Sequence, residues 1–399
     1  MKVSVLRESR PGEHRVALVP DVVRELVDKH GLQVVVEQGA GEGSHISDDE
    51  FMAAGGTVAG REAVLAAADV VLKVAPPTID EVRALPEGSV LIGFLSPFNE
   101  LRVMEALAQR RVTTFSMELV PRTTRAQRMD ALSSQANLAG YKAVLLAAER
   151  LGRILPMFMT AAGTIRPGKA LILGAGVAGL QAIATARRLG ARVEAFDVRP
   201  AVKEQVQSLG ATFLEADDEV AAEGEGGYAS ELSAEQHERE LALIGAHIHD
   251  ADIVISTAQI PGRRAPMLIT EEMVRSMRSG SVIVDMAAST GGNCELSKPD
   301  EEVVAHGVHI IGPSNLPAEV PVHASQLYAR NVATLLLEMV STEPVAAEAS
   351  SDTIEAPALE SRLDIDLDND VLGPSCLTHG GRITHDATAQ RVAGLENDE

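Results

Sequence analysis

Gly174, Gly176 and Gly179, in LILGAGVAGLQ, follow a short apolar run and open a helical one, a GxGxxG spacing with definite chemistry. The first glycine permits a tight turn, the second lets backbone approach a pyrophosphate, and the third allows close packing of helix on sheet. Val177 and Ala178 lie in the first helical turn, whose free N–H groups and partial positive charge suit phosphate. Asp197 closes the next strand, where an acid accepts hydrogen bonds from both adenosine ribose hydroxyls and repels a 2′-phosphate, favouring NAD over NADP. Val198 and Arg199 follow, and the arginine complicates that choice because it could accommodate the extra phosphate. Ala258 and Gln259, in STAQIPG, end a further strand on the rim of the sheet where dinucleotides bind.

A second polar concentration, RTTRAQRMDALSSQ from Arg122 to Gln135, precedes an apolar helical run. By composition alone it reads as a solvated loop. His247, His249, His306, His309 and His323 are scattered, and Cys294 and Cys376 make no CxxC or Cys/His spacing, so no metal site is expected.

The elements that must position these residues follow an α/β pattern. KVSVLRE, VVVEQGAG, DVVLKVA, SVLIGFL and TTFSMEL are strand-like runs before residue 120, alternating with helical patterns. ALILGAG, RVEAFDV, ATFLEA, IVISTAQ, SVIVDMA and HIIGPS supply six more, the complement of a Rossmann sheet. A helix from Ser133 has Leu138, Tyr141, Leu145 and Ala148 on one face, and a second from about Val322 carries the chain back. The expected fold is therefore two Rossmann-like domains with two long linking helices, the dinucleotide-binding domain (135–317) being inserted into the first (1–134 plus 318–399). Residues 341–365, rich in Ala, Ser, Pro and acids without a period, read as a disordered linker, and CLTHGGRITH as a hairpin.

Composition narrows the function classes. A formal charge of -22 argues against nucleic acid, which rewards basic surfaces. No apolar run reaches the roughly 18 residues of a membrane span and no secretory h-region opens the chain, so a cytoplasmic protein is expected. Only seven of the 35 basic residues are lysines, an acidic, lysine-poor balance that suits a salt-rich cytoplasm.

Taken together, RPGEHRVALVP, RTTRAQRMDALSSQANLAGYKAV, the fingerprint from GAGVAGLQ to QSLGA, GEGGYASELS and STAQIPGRRAP resemble the NAD(H)-binding alpha subunits of proton-translocating NAD(P) transhydrogenases. The resemblance covers nearly everything outside the linker. It implies Re/Si-specific direct hydride transfer from NADH to NADP+ held by a partner subunit, coupled to proton translocation. Arg122, Gln127, Asp130 and Ser133 would then hold the nicotinamide and its ribose, with Gln127 bridging towards the partner's nucleotide. Gly227 and Tyr228 would belong to a mobile lid over bound NAD(H). Implied partners are NADP(H)-binding and membrane-spanning subunits and a second copy of the chain as a homodimer, placing it at the inner face of the cell membrane. Arg128 stands where that family commonly has a small polar residue, and Ser230 where it usually has Lys.

The family shares its fold with alanine dehydrogenase, the sharpest alternative. Arg15 and Lys73 keep that enzyme's substrate-binding positions, but Leu95 and Ser96 stand where its catalytic His is expected and Ser289 where its Asp is expected. Oxidising an amino acid needs a proton shuttle, whereas direct transfer between two nicotinamides does not. A non-catalytic NAD(H)-binding module is the remaining reading.

Overall fold

The computed structural model describes residues 1–215, 234–260, 262–344 and 359–398. The chain divides into two compact units, one of Met1–Gln135 with Val320–Glu399 and the other of Ala136–Glu319.

The first unit opens with β1 (Lys2–Val5), β2 (Gln33–Glu37), β3 (Thr57–Ala59), β4 (Val70–Leu72), β5 (Val90–Gly93) and β6 (Thr113–Ser116). These six are parallel, in the order β6-β5-β4-β1-β2-β3. Runs such as VVL and VLIG are buried throughout, as strands covered on both faces must be. The edge strand β3 is only three residues long and too polar to stand out in the sequence.

The second unit contains a short hairpin, β7 (Phe158–Thr160) and β8 (Gly163–Ile165), then β9 (Lys169–Leu173), β10 (Arg192–Phe196), β11 (Thr212–Phe213), β12 (Ile253–Ser256), β13 (Val282–Asp285), β14 (Glu302–Ala305) and β15 (Val308–Ile311). Its main sheet runs β11-β10-β9-β12-β13-β15-β14. The six expected strands are present, and β14 is a seventh, antiparallel to β15. His306 and Gly307, both at positive φ (52° and 80°), make the turn between them. Two consecutive positive φ values are the signature of a tight type I′ hairpin. Its half-exposed EVVA strand alternates too weakly to be distinguished from the helical surroundings.

The linking helices are Ala131–Arg150 and Pro321–Leu337. In the first, the buried stripe is Ala139, Ala143, Val144 and Ala147, whereas Tyr141 is exposed and Leu138, Leu145 and Ala148 are only half-buried. The reason is proximity: a Cβ on Gly140 would stand 2.1 Å from the Ala178 carbonyl oxygen. Backbone that close admits only small side chains, so the alanine face wins over the bulkier one.

Back in the first unit, β16 (Val340–Pro344) pairs antiparallel with β17 (Leu359–Leu363). This corrects the expectation of a disordered linker over 341–365 at both of its ends. Val340 and Leu363 pack on the main core, Ser361 is buried, and its hydroxyl bonds the His30 carbonyl. A composition averaged over 25 residues conceals that short alternation. Residues 345–358 lie outside the described residues. Finally β18 (Cys376–His379) and β19 (Arg382–Ile383) form the expected hairpin around Gly380 and Gly381, and β18 joins the edge of the sheet at β6.

Candidate functional site

In the second unit, β9 runs into Gly174, whose φ of 94° only glycine adopts freely. Gly176 then caps the helix Val177–Arg188, with Val177 and Ala178 as its first residues. A Cβ on Gly179 would lie 1.8 Å from the Gly174 carbonyl oxygen, whereas one on Gly176 would meet, among the described residues, only Arg199 Nη2, at 3.9 Å. The third glycine is thus required by helix–strand contact, and the second leaves open backbone at a helix N-terminus. Arg187 and Arg188 close the helix, complementing its dipole.

Asp197 ties the turn to the next strand. Its Oδ2 accepts from the Ala175 N–H at 2.7 Å and from Arg199 Nη2 at 3.0 Å. Its Oδ1 accepts from the Arg199 N–H at 2.9 Å and Arg199 Nε at 3.0 Å. Both side chains are largely buried, at 6% and 17% exposure. Val198 packs beside them against the apolar layer around Phe196.

Ala258 sits beyond β12, where both of its backbone groups are held by one side chain. Asn293 Oδ1 accepts from the Ala258 N–H at 3.2 Å, and Asn293 Nδ2 donates to the Ala258 carbonyl at 2.9 Å. The Asn293 N–H in turn donates to Asp285, a fully buried acid that also accepts from Ser297 Oγ at 2.6 Å and the Cys294 N–H at 3.0 Å. Gln259 is exposed and donates to the Met286 carbonyl at 2.7 Å. Asp285 and Asn293 are functional supports that the sequence reading did not identify. The visible signal was the Gly291–Gly292 pair after β13, both at positive φ, which folds the chain back onto Ala258.

The polar segment belongs to the first unit. Ala126 and Met129 are buried and anchor a short turn, Arg125–Met129, while Arg122, Gln127 and Arg128 are exposed. Asp130 begins the linking helix: its carboxylate accepts from the Ser133 N–H at 2.8 Å and the Ser133 hydroxyl at 2.6 Å. Arg125 pairs with Glu338 at 2.6 Å and with Asp370, and Asn331 donates to the Arg128 carbonyl at 2.7 Å, so the second linking helix fixes this turn. The structure therefore brings Asp130 and Ser133 together as a helix cap and leaves the Gln127 amide outward.

Arg15 and Lys73 are both buried among acids. Arg15 forks onto Glu13 at 2.6 and 2.8 Å and donates to Gln135 at 3.0 Å, and Lys73 meets Glu8 at 3.1 Å. Leu95 and Ser96 form a turn with Ser96 at φ 49°, and both N–H groups donate to Glu118. Burial pushes the Glu118 carboxyl up, opposed by the Ser116 hydroxyl and those N–H groups. Ser289 is exposed in a short turn. Gly227, Tyr228 and Ser230 lie outside the described residues.

The residues fit a bound dinucleotide. A Cβ would fill the open backbone at Gly176, and the acid that would take a ribose closes the same turn.

Comparison with known proteins agrees with this architecture. The N-terminal domain model of the alanine dehydrogenase/PNT family matches residues 4–139, and its C-terminal domain model matches residues 143–386. The chain is 47% identical over 395 residues to an NAD(P) transhydrogenase subunit alpha polypeptide of Rhodospirillum rubrum, covering 97% of this chain and 98% of that one. A transhydrogenase crystal structure from Sinorhizobium meliloti superposes with a TM-score of 0.84 at 44% identity, covering 96% of this chain and 100% of that one. An L-alanine dehydrogenase structure superposes with a TM-score of 0.79 at 26% identity, covering 99% of both chains. With its two domain models spanning nearly the whole sequence and a relative matched from end to end, this chain belongs to the alanine dehydrogenase/PNT family, alongside the NAD(P) transhydrogenase alpha subunits.

Proposed function

We propose that this chain is the NAD(H)-binding subunit of a proton-translocating NAD(P) transhydrogenase. The observation that carries the reading is the Gly174–Gly179 turn closed by Asp197, set on a chain whose Leu95, Ser96 and Ser289 offer no proton shuttle. When bound, NAD(H) supplies the hydride, and NADP+ on a partner subunit receives it. The Gly176 backbone and the N-terminus of the following helix hold the phosphates, and Asp197 and Val198 orient the adenosine ribose. Ala258, fixed by Asn293, and Gln259 form the rim of the dinucleotide site. Asp130 and Ser133 hold the nicotinamide end by hydrogen bonding, Arg122 contributes charge there, and Gln127 reaches towards the partner. Gly227 and Tyr228 act in the lid. Such groups work by position, so no group on this chain has to change protonation during transfer.

Among the described residues no helix is long and apolar enough to cross a membrane, which agrees with proton translocation residing in partner subunits at the inner face of the cell membrane. A homodimer is supported by the β7–β8 hairpin, which exposes Met157, Phe158, Met159 and Ile165, Met159 at 73%. A two-stranded ribbon that apolar is marginal in water unless covered. Met159→Glu should lower the mass seen by sedimentation from dimer to monomer, and an unchanged mass removes the hairpin from the interface.

The functional test mixes the purified chain with its NADP-binding partner subunit, NADH and thio-NADP+. Reduction of the thio-nucleotide is expected only with both proteins present. NADH binding without transfer in any combination would favour a non-catalytic binding module, and alanine-dependent NADH formation would favour the dehydrogenase.

A further inference from the structure

A carboxylate offers about four lone-pair positions. All four on Asp197 are taken, two by Arg199 N–H and Nε on Oδ1 and two by Ala175 N–H and Arg199 Nη2 on Oδ2. The carboxylate that would receive two ribose hydroxyls therefore has no acceptor to spare. Withdrawing the Arg199 guanidinium frees one position on each oxygen, which is what two hydroxyl donors require. The guanidinium is itself mostly buried, so leaving Asp197 without another acceptor would strand a charge.

One acid is placed to receive it. The helix Ala234–Ile248 lies along β10: His247 Nδ1 is 2.8 Å from Glu194 Oε2, and Leu243 and Ile244 share an apolar cluster with Phe196 and Val198. From Glu194 to Asp197 the strand advances about 10 Å. From His247 back to Glu240 the helix covers about the same distance in two turns, on the same face. Glu240 thus comes level with Asp197. It is 9% exposed; its Oε2 lies 3.3 Å from His237 Nδ1, and its Oε1 is buried with no hydrogen-bond partner among the described residues. Buried orphan acceptors are rare, and this one is a carboxylate oxygen. Burial pushes the Glu240 carboxyl up, the bond to His237 opposes this, and the nearby Asp197 charge adds to the rise.

We propose that Glu240 is a positioning residue of the adenosine-ribose site, accepting the Arg199 guanidinium when the ribose hydroxyls take Asp197. The inference rests on the reading of Asp197 as the ribose acceptor. It makes Arg199 a cap on the empty site and Glu240 its resting place in the filled one. Glu240 then contributes to NAD(H) affinity without touching the nucleotide.

The test is calorimetric titration of the full chain with NADH, using Glu240→Gln, Arg199→Ala, the double variant, and Asp197→Asn. Glu240→Gln keeps the side chain's shape and should leave the melting temperature unchanged while weakening NADH about tenfold. In the Arg199→Ala background the same change should cost less than about twofold, because no guanidinium then needs a destination. Arg199→Ala alone should bind NADH at least as tightly as the parent. Equal losses from Glu240→Gln in both backgrounds, or none in either, overturn the proposal. Asp197→Asn reports separately on the underlying reading: a loss of about tenfold or more supports it, and undiminished affinity would remove Asp197 from the ribose site whatever Glu240 does.

Discussion

Gly176 and Gly179 belong to one fingerprint but should fail in opposite ways when a methyl group is added. In Gly176→Ala the new Cβ meets only Arg199 Nη2 among the described residues, at an ordinary 3.9 Å, and the backbone φ of -72° suits alanine. The protein loses only a favourable cap residue, about 0.5–1 kcal/mol. At roughly 2–4 °C per kcal/mol for a unit of this size, the melting temperature should fall by about 1–4 °C. The methyl would, however, occupy the surface that must approach the pyrophosphate. Losing one charge-assisted N–H bond to a phosphate costs roughly 1.5–3 kcal/mol, or about ten- to 150-fold in NADH affinity. In Gly179→Ala the Cβ would lie 1.8 Å from the Gly174 carbonyl oxygen, so helix and strand must separate by more than an ångström. Overpacking of that severity costs about 3 kcal/mol or more, and melting should drop by roughly 6–12 °C. Differential scanning calorimetry and NADH titration on the two variants separate the effects. A Gly176→Ala protein that binds NADH within about twofold of the parent would refute the assignment of this turn to the pyrophosphate.

Four further outcomes follow from the same structure. Gln127, exposed and outside the packed part of its turn, should affect transfer far more than NADH affinity when shortened to Asn; matching losses in both would make it an ordinary binding residue. Alanine with NAD+ should yield no NADH at any pH, and turnover would restore the dehydrogenase reading and direct attention to Arg15 and Lys73. Burial pushes the Cys294 thiol up to about 12. At pH 8 only about one molecule in ten thousand would carry the thiolate, so a thiol reagent should label Cys294 only on unfolding; fast labelling of the folded chain would contradict that burial. Screening among 57 acidic residues should raise the melting temperature as salt climbs to molar concentration, and a flat or falling curve would count against a salt-adapted surface.

The parts of this molecule that could be read from sequence are those whose requirements are local. Gly174, Gly179 and the Gly380–Gly381 turn answer to backbone geometry within a few residues, so their spacing alone places them. The buried parallel strands stand out because continuous apolar runs have few other uses. What could not be read depends on distant partners. The linking helix presents two comparable faces, and only the approach of Ala178 to Gly140 selects the alanine one. Asp197 and Arg199 are two positions apart, but nothing in the letters says that the arginine doubles back to saturate the acid. Asp285 and Asn293 are ordinary residues after a strand until the Gly291–Gly292 turn brings Asn293 onto both sides of the Ala258 peptide.

The contact between Gly140 and Ala178 also bears on how such sites are recognised and redesigned. The N-terminus offered to the phosphates is seated on a helix that enters from another stretch of the sequence, and even a single methyl at Gly140 would collide with the peptide behind it. A transplanted glycine-rich loop would therefore carry only a portion of its own specification, because the seat has to be transplanted too. In chains of this architecture the working fingerprint is discontinuous, three glycines in the turn and a fourth in the preceding helix. A designed variant that satisfies the familiar spacing but places a larger residue in that helix should present a displaced helix end and bind dinucleotide poorly.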